Sequence, residues 1–330
     1  MRHVDQKQRL WAWLQSLTAQ PLEEVLIPEV LVPDVQFCVS HPINTLNGIE
    51  AVQTSWLEPL RNALPDVERR DDVFLIGENP KGDLLVAAHG HYVGTFSQNL
   101  FGIPATRAAV RLRYGEFYQL EAGKVVKAYV LLDFLDLMRQ AGVAPLHSSA
   151  EGLVLAPRTH DGVRFEIADP LTSQQSRDLV IAMANGLGEY DHKTLASMGM
   201  NRFWSPEMMW YGPSGIGTTR GLAGFEQYHQ APFLQAFPDR SGNFPPIKRF
   251  GLIAEGQYVA SGGYPSLGAT HLGTYLGTPA TGQEINMRVM DFWRREQNLL
   301  SENWVIIDLP NLFLQFGVDL FAHLKGKRDE

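Results

Sequence analysis

The chain is written twice, and that repetition limits its possible folds more than any other feature. Gly102-Ile103-Pro104-Ala105-Thr106 recurs as Gly277-Thr278-Pro279-Ala280-Thr281, an offset of 175 residues. The same offset carries Asp133 onto Asp308, Leu137 onto Leu312, Gln140 onto Gln315 and Gly142-Val143 onto Gly317-Val318. Six of the 19 positions of 125–143 are identical in 300–318, where unrelated segments would share about one. Upstream the offset is 173, matching Gly48-Ile49 to Gly221-Leu222, Pro59 to Pro232 and Pro65-Asp66 to Pro238-Asp239; the change in offset is read as a loop insertion. A unit of this length is a duplicated domain, too long for a solenoid repeat.

The 330 residues then divide into a domain over 1–145, a linker over 146–168 and a second domain over 169–330, with Pro145, Ser148, Ser149 and Pro157 marking the linker. With 45% hydrophobic and 19% charged residues both domains can build a core. Acids outnumber Lys and Arg by 36 to 28, and the one basic run is Lys325-Gly326-Lys327-Arg328, so no nucleic-acid partner is expected. The single cysteine, Cys38, cannot form an internal disulfide. The N-terminus is polar and no apolar run reaches the ~18 residues of a membrane span. A soluble, cytoplasmic protein without a membrane partner is expected.

Each copy reads as helices followed by strands. Leu10, Trp11, Leu14 and Leu17 recur at helical spacing, as do Leu179, Ala182, Met183 and Leu187. A second helix opens at Gly48 or Gly221, and Pro59 or Pro232 should kink or end it. Alternation over Val110–Leu120 and Ile285–Trp293 predicts half-buried strands. Turns at Glu121-Ala122-Gly123 and Glu296-Gln297-Asn298 place Gly and Asn where a left-handed backbone is needed. Strands over 125–132 and 300–307 and a short closing helix follow. Helices before an antiparallel or mixed sheet make an α+β fold.

The helix order, the Gly-x-Pro-Ala-Thr turn before a long strand, and an Asp leading to Leu-x-x-Gln-x-Gly-Val resemble the SnoaL-like polyketide (ester) cyclases, of the nuclear-transport-factor-two-like superfamily. The resemblance spans nearly the whole chain as two tandem copies and is clearer in the second. It implies a curved sheet wrapped by helices into a cone around a deep pocket. It also implies that an aspartate acts as acid/base in a ring-closing aldol condensation, and by position Asp308 is its best match. One fold hosts many reactions, so the resemblance speaks to fold more than to chemistry.

From the residues themselves, the most informative feature is a carboxylate on the apolar face of a strand. Asp291 shares parity with Met287, Val289 and Trp293, and Glu116 sits at the matching place between Tyr114 and Tyr118. Such an acid needs a partner or a raised pKa, and the alternatives of acid/base chemistry and structural pairing are both open. Asp308 and its twin Asp133 stand just before a helix, where an N-cap is the competing role. Pairing of 291 with 304 would put Asp291, Trp304 and Asp308 on one sheet face. Trp210, Tyr211, Trp293 and Trp304 in the second copy, and Tyr118 and Tyr129 in the first, are candidate pocket walls, with core packing as the plain alternative.

His271, which aligns with Tyr92, and His229 are candidate proton shuttles or hydrogen-bond donors. His89-Gly90-His91 presents two imidazoles on one strand face, as a bicupin would, but Thr95-Phe96-Ser97 follows where a ligand Glu is needed, and the second copy has no such pair. No metal is expected. Gly212-Pro213-Ser214-Gly215-Ile216-Gly217 reads as a tight loop, not a phosphate cradle, and no nucleotide or other cofactor is expected. The reading is thus a cyclase- or isomerase-type enzyme using carboxylate acid/base chemistry on a small hydrophobic carbonyl compound. Asp308, Asp291 and His271 are the expected catalytic groups, while Trp210, Tyr211, His229, Trp293, Trp304, Glu116, Tyr118, Tyr129 and Asp133 would contact ligand. A non-catalytic binding or protein-interaction module is the alternative. The copies should have diverged, the second being the active one. Their intramolecular pairing is expected, with a homodimer as the further option.

Overall fold

The computed structural model describes residues 2–26, 29–146, 155–241, 249–322 and 324. Ser148, Ser149 and the basic run at 325–328 lie outside the described residues. The chain divides into two compact units, one of Met1–Pro145, Pro157–Ile167 and Asp308–Glu330, the other of Leu146–Ala156 and Ala168–Ile307.

The first unit opens with α1 (Arg2–Ala19), which buries Leu10, Leu14 and Leu17 at the spacing of one helical face. After the short α2 (Leu22–Val25), six strands form one sheet: β1 (Leu31–Val39), β2 (Thr45–Asn47), β3 (Glu68–Glu78), β4 (Leu84–Thr95), β5 (Ala109–Glu121) and β6 (Lys124–Leu132). Their order is β2-β1-β6-β5-β4-β3, with β1 and β6 parallel and the other neighbours antiparallel. Between β2 and β3 stand α3 (Ile49–Val52) and α4 (Glu58–Ala63), and α5 (Phe134–Gln140) follows β6.

The second unit repeats this plan. Helix α6 (Pro170–Leu187) precedes β7 (Trp204–Tyr211), β8 (Thr218–Arg220), α7 (Gly221–Phe225), α8 (Ala231–Ala236), β9 (Arg249–Glu255), β10 (Tyr258–Thr270), β11 (Glu284–Glu296) and β12 (Leu299–Ile307). The sheet order β8-β7-β12-β11-β10-β9 is the same, again with one parallel pair, β7 and β12. Two mixed six-stranded sheets, each preceded by helices, are the tandem α+β architecture expected from the repeat. The closing helix α9 (Leu309–Gln315) groups with the first unit.

Neither Pro59 nor Pro232 ends its helix. Each is preceded by one π-helical turn, Gln53–Leu57 or Glu226–Gln230, and the chain continues into α4 or α8. Proline offers no N–H to the preceding turn and its ring crowds the carbonyl four residues back, a mismatch that the wider turn absorbs. At the hairpins, Ala122 and Gly123 take positive φ of 50° and 78°. In the second copy the left-handed residue is Gln297 (φ 53°) instead of Asn298.

Of the linker, Pro157–Ile167 groups with the first unit, and its middle lies against the first sheet and α1. The Phe74 N–H donates to the Gly162 carbonyl at 2.8 Å, Val163 bridges Phe74 in parallel, and Trp11 meets the Phe165 ring edge-on at 5.3 Å. Only glycine fits at 162, because a Cβ would collide with the Asp72 carbonyl oxygen.

The offset change between the repeats lies inside a strand. Gly90 pairs with Tyr114 and Gly263 with Val289, an offset of 173 on β10; beyond the bulge, Leu267 pairs with Met287 as Tyr92 does with Leu112, an offset of 175. The two added residues fall within Tyr264-Pro265-Ser266, where proline cannot donate to the ladder. A bulge there bends the strand and re-aims its side chains.

Candidate active site in the second copy

The second unit contains a partly open cavity of about 330 Å³, within the range of small-molecule sites. Its floor is the sheet face carrying Met287, Val289, Asp291 and Trp293 on β11 and Asn303, Val305 and Ile307 on β12. Met183, Ala184 and Leu187 of α6 face it, and the β10 bulge contributes Ser266 and Leu267. The parity read from sequence for β11 therefore holds, and Asp291 faces inward.

Asp291 pairs across the sheet with Ser261 on β10 and Val305 on β12. No cation among the described residues holds its carboxylate. Loss of hydration in the apolar cavity pushes its pKa up to about 7, with a side-chain hydrogen bond from Asn303 acting the other way. An acid poised near neutrality can take or give a proton.

His229 lies on the π-helical turn before Pro232 and stacks on Trp210, ring centroids 4.3 Å apart at 18°. Burial, reinforced by the Arg240 charge, lowers its pKa to about 3, so the imidazole is neutral. Its Nδ1 is buried without a hydrogen-bond partner among the described residues, as are Trp204 Nε1 and Gln230 Oε1 on the same cavity wall. Gly212 makes room for the Trp210 indole, since a Cβ there would overlap the ring. The glycine-rich loop thus serves packing.

Of the expected site residues, Asp291, His229, Trp210 and Trp293 come together at the cavity. Trp304 does not. The β11–β12 hairpin pairs Asp291 with Val305 and Phe292 with Trp304, its register shifted by the irregularity between Arg294 and Arg295. One residue of slip turns a side chain to the other face, and Trp304 stacks there on Tyr211 at 5.6 Å and 9°. The Tyr211 hydroxyl donates to Glu302 at 3.2 Å. His271 is fully buried with Nδ1 3.1 Å from the Thr281 hydroxyl, outside the cavity lining. Thr95 bonds to Asp66 as Thr270 does to Asp239, which aligns His271 with Phe96 and not with Tyr92. Asp308 is the N-cap of α9, accepting from the Asn311 N–H at 3.2 Å and from the His41 N–H at 3.0 Å.

In the first copy Glu116 sits in a closed ionic cluster. Arg69 lies 2.8 Å from Glu116 and 2.7 Å from Asp71. The Tyr92 and Tyr118 hydroxyls donate to Glu116 at 2.7 and 2.8 Å, and the Tyr114 hydroxyl donates to Asp71 at 2.7 Å. From α1, Trp11 and Gln15 donate to Asp71 as well. Burial pushes all three phenols well above their ordinary pKa, so they remain neutral donors. Tyr129 points to the opposite face, its neighbour Val130 being the residue paired with Glu116, and stacks under Lys127 at 5.1 Å. Asp133 caps α5 and pairs with Arg113 at 3.1 Å. His89 and His91 share Asp72 at 3.5 and 3.3 Å. Among the described residues no three His, Cys, Asp or Glu are grouped to hold a metal ion, and no helix is long and apolar enough to cross a membrane.

The sequence reading missed Arg69, whose role appears only once β3 and β5 are side by side. It also missed Arg240, Arg249, Ser261 and Asn303 at the cavity. The aligned Pro65-Asp66-Val67 and Pro238-Asp239-Arg240 carried a signal for Arg240 in the Val-to-Arg change.

The model of the SnoaL-like polyketide cyclases matches residues 15–141 and 193–316, one match in each copy and most of the chain. The chain belongs to the SnoaL-like polyketide cyclase family. Among solved structures it is similar to AclR from Streptomyces galilaeus, a candidate hydroxylase, at 22% identity over 44% of this chain and 97% of that one (TM-score 0.36). It is similar to IdmH from Streptomyces antibioticus, a candidate polyketide cyclase, at 20% over 44% and 99% (TM-score 0.35). A candidate SnoaL-like polyketide cyclase from a Jannaschia species matches at 17% over 48% and 98% (TM-score 0.37). Each covers about one copy. No curated protein matches the chain.

Proposed function

We propose that the second copy is a cyclase- or isomerase-type active site, and that Asp291 moves a proton at a carbon next to a carbonyl of a small hydrophobic compound. The observation that carries this reading is a carboxylate on the floor of a largely apolar cavity, unpaired by any described cation and poised near pH 7. The ionised Asp291 removes the proton, and the electrons of the broken C–H bond pass to the carbonyl oxygen as an enolate. In an isomerisation the protonated Asp291 returns the proton to another carbon. In an aldol cyclisation the enolate carbon bonds to a second carbonyl carbon, whose oxygen takes the proton from Asp291. Neutral His229 and the Trp204 indole N–H, both on the cavity wall, supply hydrogen bonds for the carbonyl oxygen as charge develops. Asp308 acts as a helix cap and His271 as a packing group.

The test compares Asp291→Asn with wild type on a panel of enolisable ketones and diketones, following proton exchange by NMR and ring closure by mass spectrometry. General acid–base catalysis contributes about 10²–10⁴-fold, and the variant should lose at least the lower figure. Undiminished turnover overturns the assignment and leaves a pocket that only binds.

A further inference from the structure

The cavity carries two arginines at positions where the first copy has no basic residue, and the first copy's own central cation, Arg69, is paired with acids. In the shared Pro-Asp-x motif the first copy has Val67, buried in the core, where the second has Arg240 on the cavity wall. Across β4 and β3, Gly90 pairs with Asp71; across β10 and β9, the corresponding Gly263 pairs with Arg249, so an acid is replaced by a base. Both arginines line the cavity, and neither has a carboxylate within ion-pair distance among the described residues. Asp239, next to Arg240 in the chain, is committed to the N–H and hydroxyl of Thr270 at 2.9 and 2.6 Å. Residues 242–248, between the two arginines, contain no acid in sequence.

The Arg240 guanidinium lies 5.9 Å from the centre of the Phe233 ring, which shares the cavity wall. Arg249 is more exposed and gives one hydrogen bond, to the Ser266 carbonyl at 2.8 Å. A guanidinium has five N–H donors in a planar fork, so most of the donors on both side chains remain uncommitted to acids. Arg240 is part-buried and Arg249 lies exposed at the cavity's open side, so a carboxylate entering the cavity would meet both through charge-assisted hydrogen bonds. Asp291 does not serve as that partner: among the described residues no ion pair joins it to either arginine.

We propose that the second-copy cavity takes an organic carboxylate, its acid group held by Arg240 with support from Arg249 and its apolar body against the aromatic wall. This deepens the acid/base reading by naming the substrate class as a hydrophobic keto acid. The acid group anchors one end while the enolisable carbon is presented to Asp291.

The probes are 2-naphthoate and its uncharged methyl ester, bound to the full chain and followed by quenching of tryptophan fluorescence, with calorimetry as the second measurement. Neither probe has an enolisable proton, so the result is independent of whether Asp291 is catalytic. Wild type should bind the acid about ten-fold tighter than the ester. Arg240→Gln should remove that preference while keeping ester affinity, and Arg240→Lys should retain part of it. Asp291→Asn should keep the preference, which separates this proposal from the catalytic one. Equal binding of acid and ester, binding of neither by folded wild type, or a preference that survives Arg240→Gln overturns it.

Discussion

Glu116 and Asp291 occupy the same place on the same strand of the same fold, and the chain treats them in opposite ways. Around Glu116 the first copy builds a closed cluster: one arginine, two phenols on the carboxylate, and a second carboxylate satisfied by a third phenol and by α1. Around Asp291 each of those groups changes. Tyr92, Tyr114 and Tyr118 correspond to Leu267, Val289 and Trp293, and the position of Asp71 is taken by Arg249. Where α1 sends Trp11 and Gln15 inward, α6 presents Met183, Ala184 and Leu187. Removing the partners empties the centre and leaves an unpaired acid. The same fold centre can thus hold a carboxylate satisfied from within or one left without a counter-charge among the described residues.

The sharpest way to break this contrast is to remove the cation of the first copy. Arg69→Met leaves Glu116 and Asp71 buried with hydrogen bonds but no counter-charge. Breaking a buried pair from one side costs about 3–5 kcal/mol, and chemical denaturation should show a loss of that size. Turnover at the second copy should persist in the fraction that remains folded. A loss under about 1 kcal/mol would mean that the cluster does not hold the first core together.

The opposite sign is expected at Asp291. Its folded pKa of about 7 lies above the ordinary 3.8, so the folded state binds a proton that the unfolded state has released. The penalty is absent below pH 3.8, grows between 3.8 and 7, and is constant above. A shift of that size corresponds to a ceiling of about 4 kcal/mol. The carboxylate faces an opening cavity and keeps part of its hydration, so Asp291→Asn should stabilise the protein by about 1–2 kcal/mol above pH 7. The gain should shrink toward pH 5 in denaturation curves. A pH-independent difference would remove the argument that Asp291 is strained by dehydration. Stability gained as activity is lost is the pattern of a site that works against its own fold.

Much of the frame was legible in the sequence because it is local or repeated. Helical spacing at Leu10, Leu14 and Leu17, alternation through β5 and β11, and a fixed offset need no tertiary knowledge, and they placed Asp291 and Glu116 on the inward face. What sequence could not separate were their environments, since Arg69 reaches Glu116 from a strand far away in the chain. Register was the second obstacle. A single irregularity at Arg294/Arg295 moved Trp304, and with it Tyr211, to the other face. The two-residue change of offset looked like a loop insertion and proved to be the bulge that shapes one wall of the cavity.

The smallest effect should come from the pair in which the copies agree. Asp133 and Asp308 both accept an N–H from the first turn of the following helix, at 3.1 and 3.2 Å, and the chain order around them is the best-preserved part of the repeat. A cap needs a side-chain oxygen and not a charge, and Asn caps as well as Asp. Asp308→Asn should therefore change stability by less than about 1 kcal/mol and leave turnover within about two-fold. Asp308→Ala should cost about 1–2 kcal/mol through the lost cap, again without a matching fall in turnover per folded molecule. A fall of a hundred-fold in Asp308→Asn at unchanged stability would move the proton chemistry to the strand end. The contrast between the copies would then rest on their C-terminal aspartates instead of on Glu116 and Asp291.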